Sequence, residues 1–408
     1  MEVLHPRCAG LDVHKDTVVA CVRGVTPPRH QEVRTFPTTT TGLLALCDWL
    51  AQHDCTHVAM EATGVYWKPV WHVLEGAFDL VLANAQHVRN VPGRKTDVND
   101  AAWLAELLAH GLIRASFVPP AATQELRDLT RTRKQLVREV AQHTLRLQKV
   151  LTASNLRLDR VLSELLGKTG RAILQALVAG ETDPATLADL AQGHARKKRA
   201  ALVEALQGRL TPHQRGLLKL HLQVIAALEA AIRAAEVALG KALDPIQAKV
   251  RLLTTMPGVS DVVAQVILAE IGSDMSRFAT AGHLISWAGL CPRQDESAGK
   301  RRSTRVRKGA PWLKTTLVTA AWAAVRTHGS YLRAQFLRLK SRRGAKKAIL
   351  AVAASMLTAV YYMLRDGVEY HDLGANHFER HDVTKTIGRL VRRLHDLGCE
   401  VEVKPKAA

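Results

Sequence analysis

The sequence predicts an N-terminal α/β domain with a mixed sheet, then a long helical coiled-coil middle, then a mainly α-helical C-terminal region. Three observations carry this reading. Short period-two apolar runs alternate with helical patterns up to about residue 110. From Thr123 an a/d-like apolar seam set among charges replaces them. Aromatic residues make up only 4% of the 408, while Ala and Leu are abundant, which favours helices for most of the length. The patterning divides the chain into 1–118, 119–249 and 250–366, with a basic tail at 367–408.

Within the first region, Cys8–His14 and Thr17–Arg23 read as an antiparallel pair closed by a tight turn at Lys15–Asp16, with Glu32–Phe36 as a third strand. Thr41–Ala51 is helical and opens on a Thr run that supplies an N-cap. The strand His57–Glu61, the helix Tyr66–Glu75, the strand Asp79–Ala83 and the helix Asp97–His110 follow, the last stopped by Gly111. In the middle, Leu126, Val137, Val140, Leu147, Leu151, Leu158, Val161 and Leu165 form one seam. Ile225, Leu228, Ile232, Ala235 and Leu239 form a second. Two long helices flanking an insert capped at Asp183-Pro184 read as an antiparallel coiled coil, and the periodicity fits an ordinary helical bundle equally well. The third region opens on a helix, a Pro257-Gly258-Val259 turn and a second apolar helix ending at Gly272, a helix-hairpin-helix pattern. A small residue at Gly258 would let the turn approach a phosphate closely. In the tail, Val383–Leu397 reads as a basic amphipathic helix and Cys399–Val403 as a short strand.

The formal net charge is +20, which favours a nucleic-acid partner through counterion release from phosphates. Six cysteines without a C-x-x-C pair match reduced, intracellular usage. Cys47, His53, Cys55 and His57 lie close in sequence, but an apolar helix and a buried strand claim Cys47 and His57, which argues against zinc there. The first residues, MEVLHPRC, carry no apolar signal region. Ala348–Leu364 is uncharged but short for a span, so a buried core helix is expected and no membrane partner.

The chemistry lies in carboxylates. Asp12 stands in the apolar first strand, where an ionised side chain is costly unless a cation compensates it. Asp16 shares its parity but falls in the turn. Glu61 ends an apolar strand, a position suited to a site. Asp97 and Asp100, three apart, share one face of a helix start. They also read as ordinary acids favoured by the helix dipole. Oxygen ligands of this kind suit hard cations, and two Mg²⁺ ions so held can serve phosphoryl transfer.

Gly10-Leu-Asp-Val-His-Lys, Met60-Glu-Ala-Thr-Gly-Val-Tyr-Trp and Lys95-Thr-Asp-Val-Asn-Asp-Ala-Ala-Trp-Leu-Ala resemble the N-terminal motifs of DEDD-type insertion-sequence transposases, the bridge-RNA-guided recombinases. Arg277-Phe, Trp287-Ala-Gly-Leu-Cys-Pro-Arg-Gln and Ser297-Ala-Gly-Lys resemble that family's C-terminal domain, so the resemblance spans roughly residues 8–365. It implies an RNase H-like (RuvC-like) first domain with a tetrad of Asp12, Glu61, Asp97 and Asp100. It further implies donor and target DNA as substrates, a structured noncoding guide RNA, and a dimer assembling to a tetramer in which the catalytic parts meet between protomers. A cytoplasmic, nucleoid-associated protein is then expected. The family's nucleophilic serine lies within Ser-Ser-Gly-Gly. Here Glu296-Ser297-Ala298-Gly299 stands in its place, so Ser297 matches while the preceding Ser and the first Gly do not, and Ser303 lies six residues on.

Read physically, Ser297 sits in a polar loop before Lys300, Arg301, Arg302, Arg305, Arg307 and Lys308, cations able to hold a phosphate. The same residues suit a junction nuclease using water, or a protein that only coats nucleic acid. In every reading the basic run should contact phosphates. Replacing Arg301, Arg302 and Arg305 by Gln is therefore expected to flatten the slope of log affinity against log salt, measured by DNA-binding titrations. An unchanged slope would put these side chains in solvent.

Overall fold

A computed structural model describes residues 2–25, 29–61, 64–84, 88, 100–292, 295–297, 299–303, 305–306, 309–380 and 383–403. The chain divides into two compact units, Met1–Pro119 and Pro120–Ala408.

The first unit is built on a five-stranded sheet. Strands β1 (Arg7–Val13), β2 (Thr17–Gly24) and β3 (His30–Pro37) form an antiparallel meander. The turn at Lys15–Asp16 is closed by the His14 N–H, which donates to the Thr17 carbonyl at 2.9 Å. β4 (His57–Glu61) then pairs parallel to β1, and β5 (Asp79–Ala83) parallel to β4, giving the order β3-β2-β1-β4-β5. The mixed sheet is compatible with the RNase H-like expectation. Because β1 is central, both of its faces are buried, which explains its near-continuous apolar run.

Each face has its own cover. Ala9, Leu11, Val13, Val18, Ala20 and Phe36 point to one side and pack with Leu43, Leu46 and Trp49 of α1 (Thr40–Gln52) and Val70 and Leu74 of α2 (Trp67–Leu74). The N-cap of α1 is Thr39, whose Oγ1 accepts the Gly42 N–H at 3.2 Å. The opposite face, with Cys8, Gly10, Cys21 and Ala59, is covered by α3 (Asp100–Ala109).

In the second unit, α4 (Ala121–Ala153) and α8 (Pro212–Leu243) run antiparallel, tied by Arg133 to Glu236 at 2.6 Å and by His143 Nδ1 to His221 Nδ1 at 3.1 Å. The expected seam reaches too far. α4 stops at Ala153, where Asn155 takes a positive φ of 56°, so Leu158, Val161 and Leu165 lie outside it. Leu158 instead enters the core of the insert with α5 (Lys168–Ala179), α6 (Pro184–Asp189) and α7 (Arg199–Ala205). Asp183 caps α6 as expected, its Oδ2 accepting the Thr186 N–H at 2.7 Å. Of the second seam, Ile225 and Leu239 are buried, and Leu228, Ile232 and Ala235 are half-buried between them.

The rest of the unit packs α9 (Gln247–Thr254), α10 (Asp261–Ile271), α11 (Ala281–Trp287), α12 (Pro311–Ala324), α13 (Tyr331–Arg343) and α14 (Ala345–Asp366) around one core. The uncharged run 348–364 is the inner helix of that core, with Val352, Ala353, Met356, Leu357 and Val360 fully buried. α14 is the one helix among the described residues long and apolar enough to cross a membrane, and its apolar side chains are used within the unit. An ion pair between a half-buried arginine and a buried glutamate fixes α4 to α10. Arg131 donates from Nε and Nη2 to the two oxygens of Glu270 at 2.8 and 2.9 Å, and Glu270 is 1% exposed. Arg127 donates to the carbonyls of Ala269 and Glu270 at the end of the same helix. A short α15 (His377–Arg380) and the basic α16 (Val383–Asp396) complete the chain. Cys399–Val403 is irregular and not a strand, as a segment without a pairing partner cannot hold one.

Candidate functional site

Parity along the strands places the acidic residues. Side chains two apart on a strand share a face. Cys8 and Ala59 pack with Leu108 and Ala109 of α3, so Gly10 and Asp12 on β1, and Glu61 on β4, also face α3. The parallel register sets Leu11 beside Met60, and one step further stand Asp12 and Glu61, at the carboxyl ends of adjacent strands.

Gly10 brings α3 onto this face. A Cβ there would lie 2.2 Å from the Ala101 carbonyl oxygen, 2.5 Å from the Ala105 nitrogen and 2.9 Å from the Leu104 Cβ. Cys8, further back on β1, reaches Ala105 and Ala109, so α3 runs antiparallel to β1 and its start points toward Asp12. Ala101, Ala102 and Ala105 rest on Cys21 and Val19, and Arg23 Nη2 lies 3.7 Å from Glu106 Oε1. The described part of α3 begins at Asp100, one residue before the Gly10 contact. Three of the four expected carboxylates therefore belong to one end of one sheet face. Asp97 lies outside the described residues.

The donor set fits a hard divalent cation. It is oxygen-only, Asp12 and Glu61 are half-buried, and Asp100 is exposed at the rim. Asp12 Oδ2 is also 3.2 Å from His14 Nε2, a neighbour on the exposed side. Asp16 is exposed in the β1–β2 turn and is no competitor for the face.

Around Ser297 the structure corrects the expectation of a loop. β6 (Asp295–Ser297) and β7 (Lys300–Ser303) form an antiparallel hairpin in which Ser297 pairs with Lys300. The turn is made with Gly299 at φ 73°, a conformation that suits glycine. Ser297 thus stands at the tip, whereas Ser303 pairs with Asp295 at the base. The Ser303 Oγ accepts the Arg305 N–H at 3.2 Å. The base is anchored by a bridge between Pro292 and Val306 and by Gly309, where a Cβ would lie 2.5 Å from the backbone of Ala288 and Gly289. The Trp287-Ala-Gly-Leu motif accordingly has a structural job: Gly289 ends α11 at φ 71°, and Ala288 and Leu290 are buried. Lys300 and Arg305 are exposed, and Arg307 and Lys308 lie outside the described residues.

The turn between α9 and α10 is present, but the close approach at Gly258 is to protein. A Cβ there would meet the Ala320 carbonyl oxygen of α12 at 2.4 Å and the Ala324 nitrogen at 2.6 Å. The sequence pattern could not reveal that neighbour. The Glu270 pair with Arg131 was missed as well, for an acid at the end of an apolar helix reads as a solvated cap.

An acidic end of this kind on a mixed sheet, followed by a helical unit, is compatible with a DNA-recombining enzyme of the DEDD transposase class. Comparison with known proteins agrees from both ends of the chain. The DEDD transposase model of the IS110 type matches residues 9–155, and the model described as the transposase IS116/IS110/IS902 family matches residues 250–337. The chain belongs to this IS110-type transposase family. It is 28% identical over 304 residues to the insertion element IS110 uncharacterized 43.6 kDa protein of Streptomyces coelicolor, covering 68% of this chain and 73% of the relative. It is 27% identical over 328 residues to the insertion element IS900 uncharacterized 42 kDa protein of Mycobacterium paratuberculosis, covering 72% and 80%. Use of a divalent metal and action on DNA follow from the family.

The packing at Gly10 makes a testable claim. Gly10→Ala is expected to lower thermal stability by about 1–3 kcal/mol through overpacking, and metal-dependent DNA cleavage should fall with it. Gly24→Ala in β2, where a Cβ would meet nothing nearer than 3.8 Å, should leave both unchanged. A Gly10→Ala protein as stable and active as wild type would show that α3 is held some other way.

Proposed function

We propose that the protein cuts and rejoins DNA by serine-mediated strand exchange, with Asp12, Glu61, Asp97 and Asp100 holding two Mg²⁺ ions. The observation that carries the metal assignment is the register of β1 and β4, which sets Asp12 beside Glu61 on the face where α3 starts at Asp100. Asp12, Glu61, Asp97 and Asp100 would hold the metal, which would supply Lewis-acid chemistry toward the scissile phosphate. The carboxylates orient the cations and must stay ionised to do so.

Ser297 supplies the nucleophile. Its Oγ bonds to phosphorus, the bond from phosphorus to the 3′ oxygen breaks, and the serine proton leaves to that oxygen, giving a 5′ phosphoserine link and a free 3′-OH. Attack by another strand's 3′-OH on the same phosphorus reverses the step and frees the serine. One phosphodiester is exchanged for another, so no nucleotide hydrolysis is needed. Support for Ser297 over Ser303 comes from the hairpin, which presents Ser297 at its tip and engages the Ser303 hydroxyl at its base. Lys300, Arg301, Arg302, Arg305, Arg307 and Lys308 would hold the phosphate backbone. The family resemblance extends the proposal to a structured guide RNA pairing with donor and target DNA, to a dimer that assembles to a tetramer, and to work on the nucleoid in the cytoplasm.

Denaturing electrophoresis of end-labelled DNA after incubation with protein and Mg²⁺ tests the mechanism. Wild type and Ser303→Ala are expected to trap a covalent DNA adduct and Ser297→Ala to trap none, with stability changed by less than about half a kcal/mol. Adduct formation by Ser297→Ala but not by Ser303→Ala would assign the nucleophile to the other serine. Free cleaved ends without any adduct in wild type would favour a water-using nuclease.

The tetrad is tested separately. Asp12→Asn, Glu61→Gln, Asp97→Asn and Asp100→Asn should each fold, by circular dichroism, yet lose cleavage in Mg²⁺, since each removes an ionised oxygen from a hard-cation site. A variant that cleaves at the wild-type rate is not a ligand.

A further inference from the structure

The opposite face of the same sheet carries a second set of metal-binding side chains. His30 and Glu32 are two apart on β3, the edge strand, and share the face that packs under α1. α1 ends beside them at its C-cap, His53. The position of His53 is set by Trp49 one turn earlier, which packs on Phe36 at 5.3 Å and meets the His53 ring edge-on at 5.1 Å.

Glu32 Oε2 lies 3.6 Å from His30 Nε2 and 3.6 Å from His53 Nε2. The two imidazoles stack at 5.2 Å with 14° between their planes, and one donor atom from each of the three residues lies within 4.8 Å of the others. A tetrahedral ion with bonds of about 2.0–2.1 Å holds neighbouring donors about 3.3 Å apart, so small side-chain rotations close the set onto one ion. Cys47, Cys55 and His57, which stand near His53 in sequence, do not join it. The Cys55 thiol is buried and pushed up to about 12. His57 is engaged with Thr56 and Asp79. Asp54 is held by Arg7.

We propose that His30, Glu32 and His53 bind one zinc-class divalent ion that ties the edge strand β3 to the end of α1. Two imidazoles and a carboxylate suit zinc and its borderline neighbours, whereas magnesium takes oxygen ligands. Water fills the fourth position. The site lies across the sheet from Asp12 and Glu61, and its role is to hold the edge in place, not to act on DNA.

The experiment uses the full chain freed of metal with a chelator, titrated with ZnCl₂ by calorimetry in excess Mg²⁺ so that oxygen-only sites are occupied. Wild type is expected to take one more zinc ion than Glu32→Gln or His53→Ala, or to bind it tighter by about tenfold or more, the loss that disturbing even an outer partner produces. Zinc should raise the thermal midpoint of wild type and not of the variants. Glu32 is exposed, so Glu32→Gln tests the site without disturbing the Trp49 packing that His53 shares. X-ray absorption at the zinc edge should show two imidazoles in wild type and one in His53→Ala. Equal zinc stoichiometry and affinity in all three proteins would overturn the proposal, as would zinc binding that is lost in Asp12→Asn and kept in Glu32→Gln.

Discussion

The acidic face depends on the absence of one methyl group. β1 is the central strand, and α3 crosses it with backbone atoms where a side chain at Gly10 would stand. Only glycine permits that approach without displacing the helix. Everything else at that end of the sheet is then a matter of register. Asp12 lies two residues beyond Gly10 on the same face, Glu61 is brought beside it by parallel pairing, and Asp100 comes from the helix that Gly10 admits. The alanines of α3 serve the same end, because small side chains let a helix lie close on a sheet that must itself stay packed on its other side.

The second unit solves a different problem. A long helix such as α4 is held at one end by the insert core, through Leu147 and Leu151, and at the other by the large helical core, through Leu126. Between them its surface is charged, and the Arg131–Glu270 pair supplies the directional contact that apolar packing lacks. Burying such a pair brings little net stability, but leaving Glu270 alone would strand a charge in the core. The serine hairpin is polar and depends on its frame: backbone pairing sets Ser297 opposite Lys300, and Gly309 lets the chain beyond the hairpin lie tightly against the end of α11.

Local patterning made much of this legible. Period-two runs located β1 to β5 within a residue or two, and capping residues such as Thr39 and Asp183 marked helix starts, since these signals depend on neighbours in the chain. The carboxylates stood out because charge in an apolar strand needs a reason. The seam 126–165 was read too long, because apolar spacing continues smoothly from a helix into the insert that follows it, and only a turn at Asn155 separates them. The hairpin at 295–303 was read as a loop because its strands are short and polar, and they are held by backbone hydrogen bonds to which side-chain type contributes little.

By itself the sequence determined the five strands of the first sheet and the helices between them, which carboxylates lie in apolar surroundings, and that the chain carries a large surplus of positive charge. Those properties follow from residue type and short-range spacing. The tertiary structure alone decided that β4 pairs parallel to β1, that Gly258 is small for the sake of α12 and that Gly10 is small for α3, and that His30 and Glu32 meet His53 across more than twenty residues of chain. The reason is that these are contacts between segments remote in sequence. They are selected by how faces pack together, and no local pattern records which face will meet which.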